Sequence, residues 1–133
     1  MKTRLMSLFL LIMLLCLSLT PVHALRLSGD YKYNLLMDGT VVIEGYIGKA
    51  NTLYIPAYID GKPVSKIGRN AFERCYTLTE LTIPTSVTSI AYDAFEDCPS
   101  LTLTVYSGSY AQQFCEQRKL PHTVPDSLSW LTD

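Results

Sequence analysis

Three groups of side chains in this sequence are of the types that do chemistry. Cys75, Cys98 and Cys115 offer thiols, His122 offers an imidazole, and Asp93, Glu96 and Asp97 crowd three carboxylates into one short segment. A nucleophile needs a base beside it, yet His122 stands between Pro121 and Thr123 and reads as a polar edge residue. Zinc needs several convergent ligands, and no CxxC or HxxxH spacing is present. The seven glycines are scattered at turns, so there is no phosphate-cradling loop. The acidic cluster reads as a solvated convex edge, with weak calcium binding the sharper alternative. No catalytic residues, metal site or cofactor are therefore expected, and the chain reads as non-enzymatic.

The elements that would position these residues begin after an export signal. Lys2 and Arg4 open the chain, Leu5 to Leu19 is apolar apart from Ser7 and Ser18, and Val22-His23-Ala24 places small residues before a cut after Ala24. This is the order of a secretory signal peptide over 1–24. The apolar run is shorter than the roughly 20 residues of a membrane span, so no retained transmembrane segment is expected. Cleavage leaves 109 of the 133 residues and lowers the formal charge from −1 to about −3, because two basic residues and no acidic ones are lost. A mildly acidic domain of this size lacks the basic footprint of a nucleic-acid binder. It is long enough for one modest core.

That core is written as a repeat. Residues 64–75 lie over residues 87–98 at an offset of 23, with Val64/Val87, Ile67/Ile90, Ala71/Ala94, Phe72/Phe95, Glu73/Glu96 and Cys75/Cys98 coinciding. The match continues to Leu78 and Leu101, and Leu81-Thr-Ile83-Pro84 is echoed upstream by Leu53-Tyr-Ile55-Pro56 and downstream by Leu103-Thr-Val105-Tyr106. A strand's two-residue period turns Leu78, Leu81 and Ile83 inward and Glu80 and Thr82 outward. Pro84 stops the strand. The period and its Leu-x-x-Leu-x-Ile core are a leucine-rich-repeat rhythm, in which stacked coils bury what no single coil can.

The spacing of Ile67-Gly68, Ala71-Phe72, Cys75, Leu78 and Leu81-x-Ile83-Pro84, repeated from Ile90 to Leu101, resembles the BspA-type leucine-rich repeats of secreted and cell-surface bacterial proteins. Ala91 departs from the Gly at position 68. The expected fold is an α+β solenoid: an N-terminal β-hairpin cap over 25–49, about two to three repeats over 50–106, and a helical C-terminal cap over 107–133. Tyr31–Leu36 and Thr40–Tyr46 flank Met37-Asp38-Gly39, a hairpin signal, and the hairpin is expected to close the first open sheet edge. Ser107-Gly108-Ser109 is expected to cap a helix from Tyr110 to about Lys119, with Tyr110/Phe114 and Ala111/Cys115 as apolar pairs. Thr123-Val124 is expected to add an edge strand, and Leu128, Trp130 and Leu131 to tuck back, closing a complete small array.

Stacked coils place Cys75 and Cys98 about one strand spacing apart, roughly 4.8 Å. A disulfide tolerates that separation, but parallel side chains do not converge as its Cβ atoms must. A buried thiol ladder is expected rather than a bridge. Thr52, Tyr54, Glu80, Thr82, Thr102 and Thr104 would line the exposed sheet face. Thr is a good strand former on any wet surface; the functional alternative is that Tyr54 with Glu80 marks a protein or glycan contact, Tyr being the anchor residue type among these six. The resemblance implies a secreted protein- or surface-recognition module, adhesion included. The other reading is a structural or assembly protein of the cell envelope.

Overall fold

The computed structural model describes residues 24–125. The expected signal peptide up to residue 23, and the expected docking of Leu128, Trp130 and Leu131, lie outside the described residues.

The elements run β1 (Arg26–Ser28), β2 (Tyr31–Leu35), β3 (Val41–Tyr46), β4 (Thr52–Tyr54), β5 (Tyr58–Ile59), β6 (Lys62–Ile67), β7 (Glu80–Thr82), β8 (Ser89–Ile90), β9 (Thr102–Thr104), α1 (Tyr110–Arg118) and β10 (His122–Thr123). They form two sheets. One is parallel throughout, in the order β10-β9-β7-β4. The other runs β1-β2-β3-β6-β5, with β8 also on β6. Each coil thus gives one strand to each sheet. The Leu-x-Ile segments supply β4, β7 and β9, while β6 and β8 carry the Val-x-x-Ile segments.

The core lies between the sheets. Ile55, Val64, Ile67, Ala71, Phe72, Leu78, Leu81, Ile83, Val87, Ile90, Ala94, Leu101, Leu103 and Val105 are all buried, as strand alternation and coil stacking require. Consecutive coils are tied by backbone bonds: Phe72 N–H to the Ala94 carbonyl (2.9 Å), Arg74 N–H to that of Glu96 (3.0 Å), and Ala91 N–H to that of Ile67 (2.9 Å).

At the N-terminal end, β2 and β3 turn through Asp38-Gly39. Gly39 takes φ 82°, and the Asp38 carboxylate accepts from the Thr40 N–H (2.9 Å) and hydroxyl (2.7 Å). Gly supplies the left-handed conformation, and Asp replaces missing backbone acceptors. The hairpin pairs with the repeats through β3 and β6, in parallel with Val41 opposite Val64 and Ile43 opposite Ile67. The edge that it covers is therefore that of β6, and not that of β4.

At the other end, Ser109 caps α1 by accepting from the Gln112 N–H (3.1 Å), and left-handed Lys119 (φ 56°) ends it. Ala111, Phe114 and Cys115 form its buried face. Tyr110, the first residue of the helix, keeps 38% of its surface exposed.

Sequence alignment of the coils misses one packing feature. Rings of Tyr31, Tyr46, Phe72, Phe95 and Phe114 follow one another with centroids 5.6, 5.8, 5.7 and 6.4 Å apart, a column through both termini and both repeats. These tilted, offset and edge-on approaches are the ones that aromatic quadrupoles favour.

Candidate functional site

The face of the parallel sheet that points away from the core is built by register. Thr52, Glu80 and Thr102 form one row, and Tyr54, Thr82 and Thr104 the next. Thr123 of β10 extends that second row beside Thr104. Between them Leu53, Leu81 and Leu103 face inward, so every residue on either side of the Leu faces out.

The rows are linked by side chains. The Thr104 hydroxyl donates to Glu80 Oε1 (3.1 Å) and lies 3.2 Å from the Thr123 hydroxyl. Tyr54 is 70% exposed on the outermost strand, and Thr52 and Glu80 are exposed too. Thr102 and Thr104 are half-exposed. Thr82 corrects the expectation: it is only 8% exposed, although its side chain is on the outer face. Alternation assigns a side chain to a face, but neighbours decide whether water reaches it. Thr82 sits on a central strand between Tyr54 and Thr104, next to the Glu80–Thr104 bond, and is covered by larger groups.

Two contributors were not recognised in the sequence. Thr123 falls outside the repeat alignment, and only its place in an edge strand hinted at a role. Tyr31 donates its hydroxyl to the Tyr54 carbonyl (2.9 Å), anchoring β4 from the N-terminal hairpin. Burial first, then the nearby Tyr46 and Asp30, raise its pKa above the ordinary phenol value, so this hydroxyl remains a donor.

The remaining candidates are dispersed. Asp93 is buried, in contrast to the solvated edge expected for it, because Arg69 Nε reaches its Oδ2 at 3.1 Å; Glu96 and Asp97 stay exposed. Among the described residues no three His, Cys, Asp or Glu side chains gather as metal ligands would. His122 lies on β10 with Nδ1 2.9 Å from the Leu120 carbonyl oxygen, which can only accept. Cys75 and Cys98 are half-buried rather than fully enclosed, and Cys115 is buried; all three are free thiols. The first two sit where the coil bends between sheets, and a bend shields its side chains on one side only. Among the described residues no helix is long and apolar enough to cross a membrane.

Comparison with known proteins agrees with this geometry. A family model described as BspA type leucine-rich repeat region (6 copies) matches residues 51–117. A leucine-rich cell surface protein of Faecalibacterium prausnitzii has a solved structure that is 31% identical over 77% of this chain and 30% of its own, with a TM-score of 0.59. The leucine-rich repeat protein of T. pallidum is 27% identical over 62% of this chain and 43% of its own, with a TM-score of 0.55. This chain thus spans less than half the length of either. A leucine-rich repeat protein from Bacteroides capillosus, 21% identical, shares the fold over 80% of this chain and 91% of its own, with a TM-score of 0.55. No curated protein matches. Repeat spacing, coil geometry and these likenesses converge, and the chain belongs to the BspA-type leucine-rich repeat family.

Proposed function

We propose that this chain is an exported, non-enzymatic recognition module that binds a protein or glycan on a surface, adhesion being its use. The family is typical of surface and recognition proteins. The observation that carries the reading is the outer face of β4, β7 and β9. Tyr54 stands 70% exposed there, on the same face as the hydrogen-bonded Glu80 and Thr104. An amphipathic ring on a rigid, wet sheet is the kind of anchor around which contact energy concentrates. A face only three to four strands wide is small, so each contact is weak and gains strength from multivalency.

In this reading residues 1–24 export the chain, residues 25–49 and 107–133 flank the repeats as caps, and residues 50–106 hold the recognition face. Mass spectrometry of the exported protein should find Leu25 at its N-terminus. Purified protein should retain surface proteins or glycans from a panel of immobilised ligands. Tyr54→Ala should abolish that retention without changing the circular dichroism. Equal retention by the variant would dispose of the face.

One observation favours the envelope-assembly alternative. Among the described residues, the outer edges of β4 and β10 pair with no further strand. Open edges can join end to end. Sedimentation showing concentration-dependent chains would support it, and a monomer would not.

A further inference from the structure

A second site lies away from the strand face, where the last turn of α1 meets the bend after β8. Tyr92, Asp93, Phe95, Glu96, Arg118 and Leu120 line a pocket of about 220 Å³ there. Repeat stacking makes part of it. Arg69 and Tyr92 occupy equivalent positions in successive coils, 23 residues apart, so the Arg69 guanidinium comes over the Tyr92 ring at 5.8 Å from its centroid. Helix α1 brings Arg118 to the same ring, also at 5.8 Å, and its Nη2 donates to the Tyr92 carbonyl (3.3 Å). A ring face and a carbonyl together hold a planar guanidinium in place, at little further entropic cost to a ligand.

The charges on the pocket are unequal in their partners. Asp93 pairs with Arg69 through Oδ2, and its buried Oδ1 has no hydrogen-bond partner. Arg118 and Glu96 line the same pocket, yet among the described residues neither pairs with the other or with any further charged side chain. Arg118 retains N–H donors in a fork that suits a carboxylate. Glu96 offers acceptors, and Phe95 with Leu120 gives an apolar floor. A complementary ligand carries one anionic group, several hydroxyl donors and an apolar carbon face. An acidic peptide brings repeated negative charge towards Glu96 and few donors; a neutral sugar leaves Arg118 unpaired.

We propose that this pocket binds an acidic saccharide, with the sugar carboxylate on Arg118 and its hydroxyls on Glu96. The site is separate from the Tyr54 face and goes beyond the function proposed for it.

Calorimetry on the full protein tests this with three probes: a galactose tetrasaccharide whose terminal residue is oxidised to galacturonic acid (the uronate, with its single carboxylate), the neutral galactose tetrasaccharide, and tetraglutamate. The uronate is expected to bind, with Arg118→Gln weakening it about tenfold or more, the scale of one lost charge-assisted hydrogen bond. Tyr54→Ala should leave it unchanged, and both other probes should bind at least about tenfold more weakly. In the unmutated protein, uronate should shift the Arg118 Nε resonance, a reading that does not depend on a variant folding. Unchanged affinity in Arg118→Gln, a silent Nε resonance, equal binding of tetraglutamate or the neutral sugar, or no uronate binding would each overturn the proposal.

Discussion

The Cys98 thiol donates to the Phe72 carbonyl oxygen at 2.9 Å, reaching from one coil back to the coil before it. The sulfur at this bend is therefore used as a donor between coils. The same offset that aligns Cys75 with Cys98 gives the later thiol a carbonyl acceptor in the preceding coil that the earlier one lacks, since the carbonyl that Cys75 Sγ meets is that of Glu73 in its own coil, at 4.0 Å.

Thiol titration of the denatured protein should accordingly find close to three free thiols among Cys75, Cys98 and Cys115; a result near one would mean a bridge. In the native protein all three should react slowly. Burial, then the neighbouring Cys98, pushes the Cys75 thiol from 9.0 to about 11, and burial, then Glu116, pushes Cys115 from 9.0 to about 11. Cys98 is also raised, by burial first. The unfolded chain therefore loses these protons more readily than the folded one. The stability involved is fully present below pH 9 and is lost as pH rises towards about 11. Denaturant midpoints measured across that range should fall, and should fall less in a Cys75→Ser variant.

The aromatic column predicts a gradient of costs. Phe72 is fully buried with Tyr46 and Phe95 on its two sides, whereas Phe95 is half-buried. Phe72→Ala should cost about 3–5 kcal/mol and Phe95→Ala less, since part of its ring already meets water. Urea unfolding of both variants measures the difference, and equal costs would show that the column does not organise the core.

Much of this was legible because coil stacking is periodic. Ile67, Ala71, Phe72, Leu78 and their partners at Ile90, Ala94, Phe95 and Leu101 share one offset, and one offset means one environment. Tyr46 and Phe114 belong to the same column but lie 26 residues before Phe72 and 19 after Phe95, in segments that adopt other backbones to reach it. Spacing carries no trace of that. The Arg69–Asp93 pair was hidden similarly: its separation is 24, one more than the repeat, so an aligned register sets Arg69 beside Tyr92 instead. Thr82 was misplaced because strand period reports direction, and burial depends on neighbours two strands wide.

Gly68 and Ala91 occupy equivalent positions in successive coils. A Cβ on Gly68 would stand 3.0 Å from the Ile43 carbonyl oxygen and 3.0 Å from Glu44 Oε2. The Glu44 side chain can move aside, but the β3 backbone cannot, because Gly68 N–H already bonds that carbonyl at 2.8 Å. Ala91 carries a Cβ at the equivalent position, where its N–H bonds the Ile67 carbonyl instead. Gly68→Ala gains roughly 0.4–1 kcal/mol from a stiffer unfolded chain and loses about 1–3 kcal/mol to crowding. A net loss of about 1 kcal/mol is expected, with Ala91→Gly destabilising by about 0.5 kcal/mol. Thermal midpoints decide it: a more stable Gly68→Ala protein would mean that β3 yields.

The Arg69–Asp93 pair joins a mostly exposed guanidinium, 75% accessible, to a carboxylate only 5% accessible. Its two halves should therefore respond differently to removal. Arg69→Ala strands a buried carboxylate whose Oδ1 already has no hydrogen-bond partner, and an unpaired buried charge is the costly outcome. Exposure of the arginine admits water and screens the loss, so about 1–2 kcal/mol is expected rather than the larger cost of a fully enclosed pair. Asp93→Asn removes the charge and leaves Arg69 to solvent, at a cost of about 1 kcal/mol. In the double variant nothing charged remains buried, and the two costs should fall short of additive by about 1 kcal/mol. Additive urea midpoints across this cycle would mean that the 3.1 Å contact contributes no coupling between the coils.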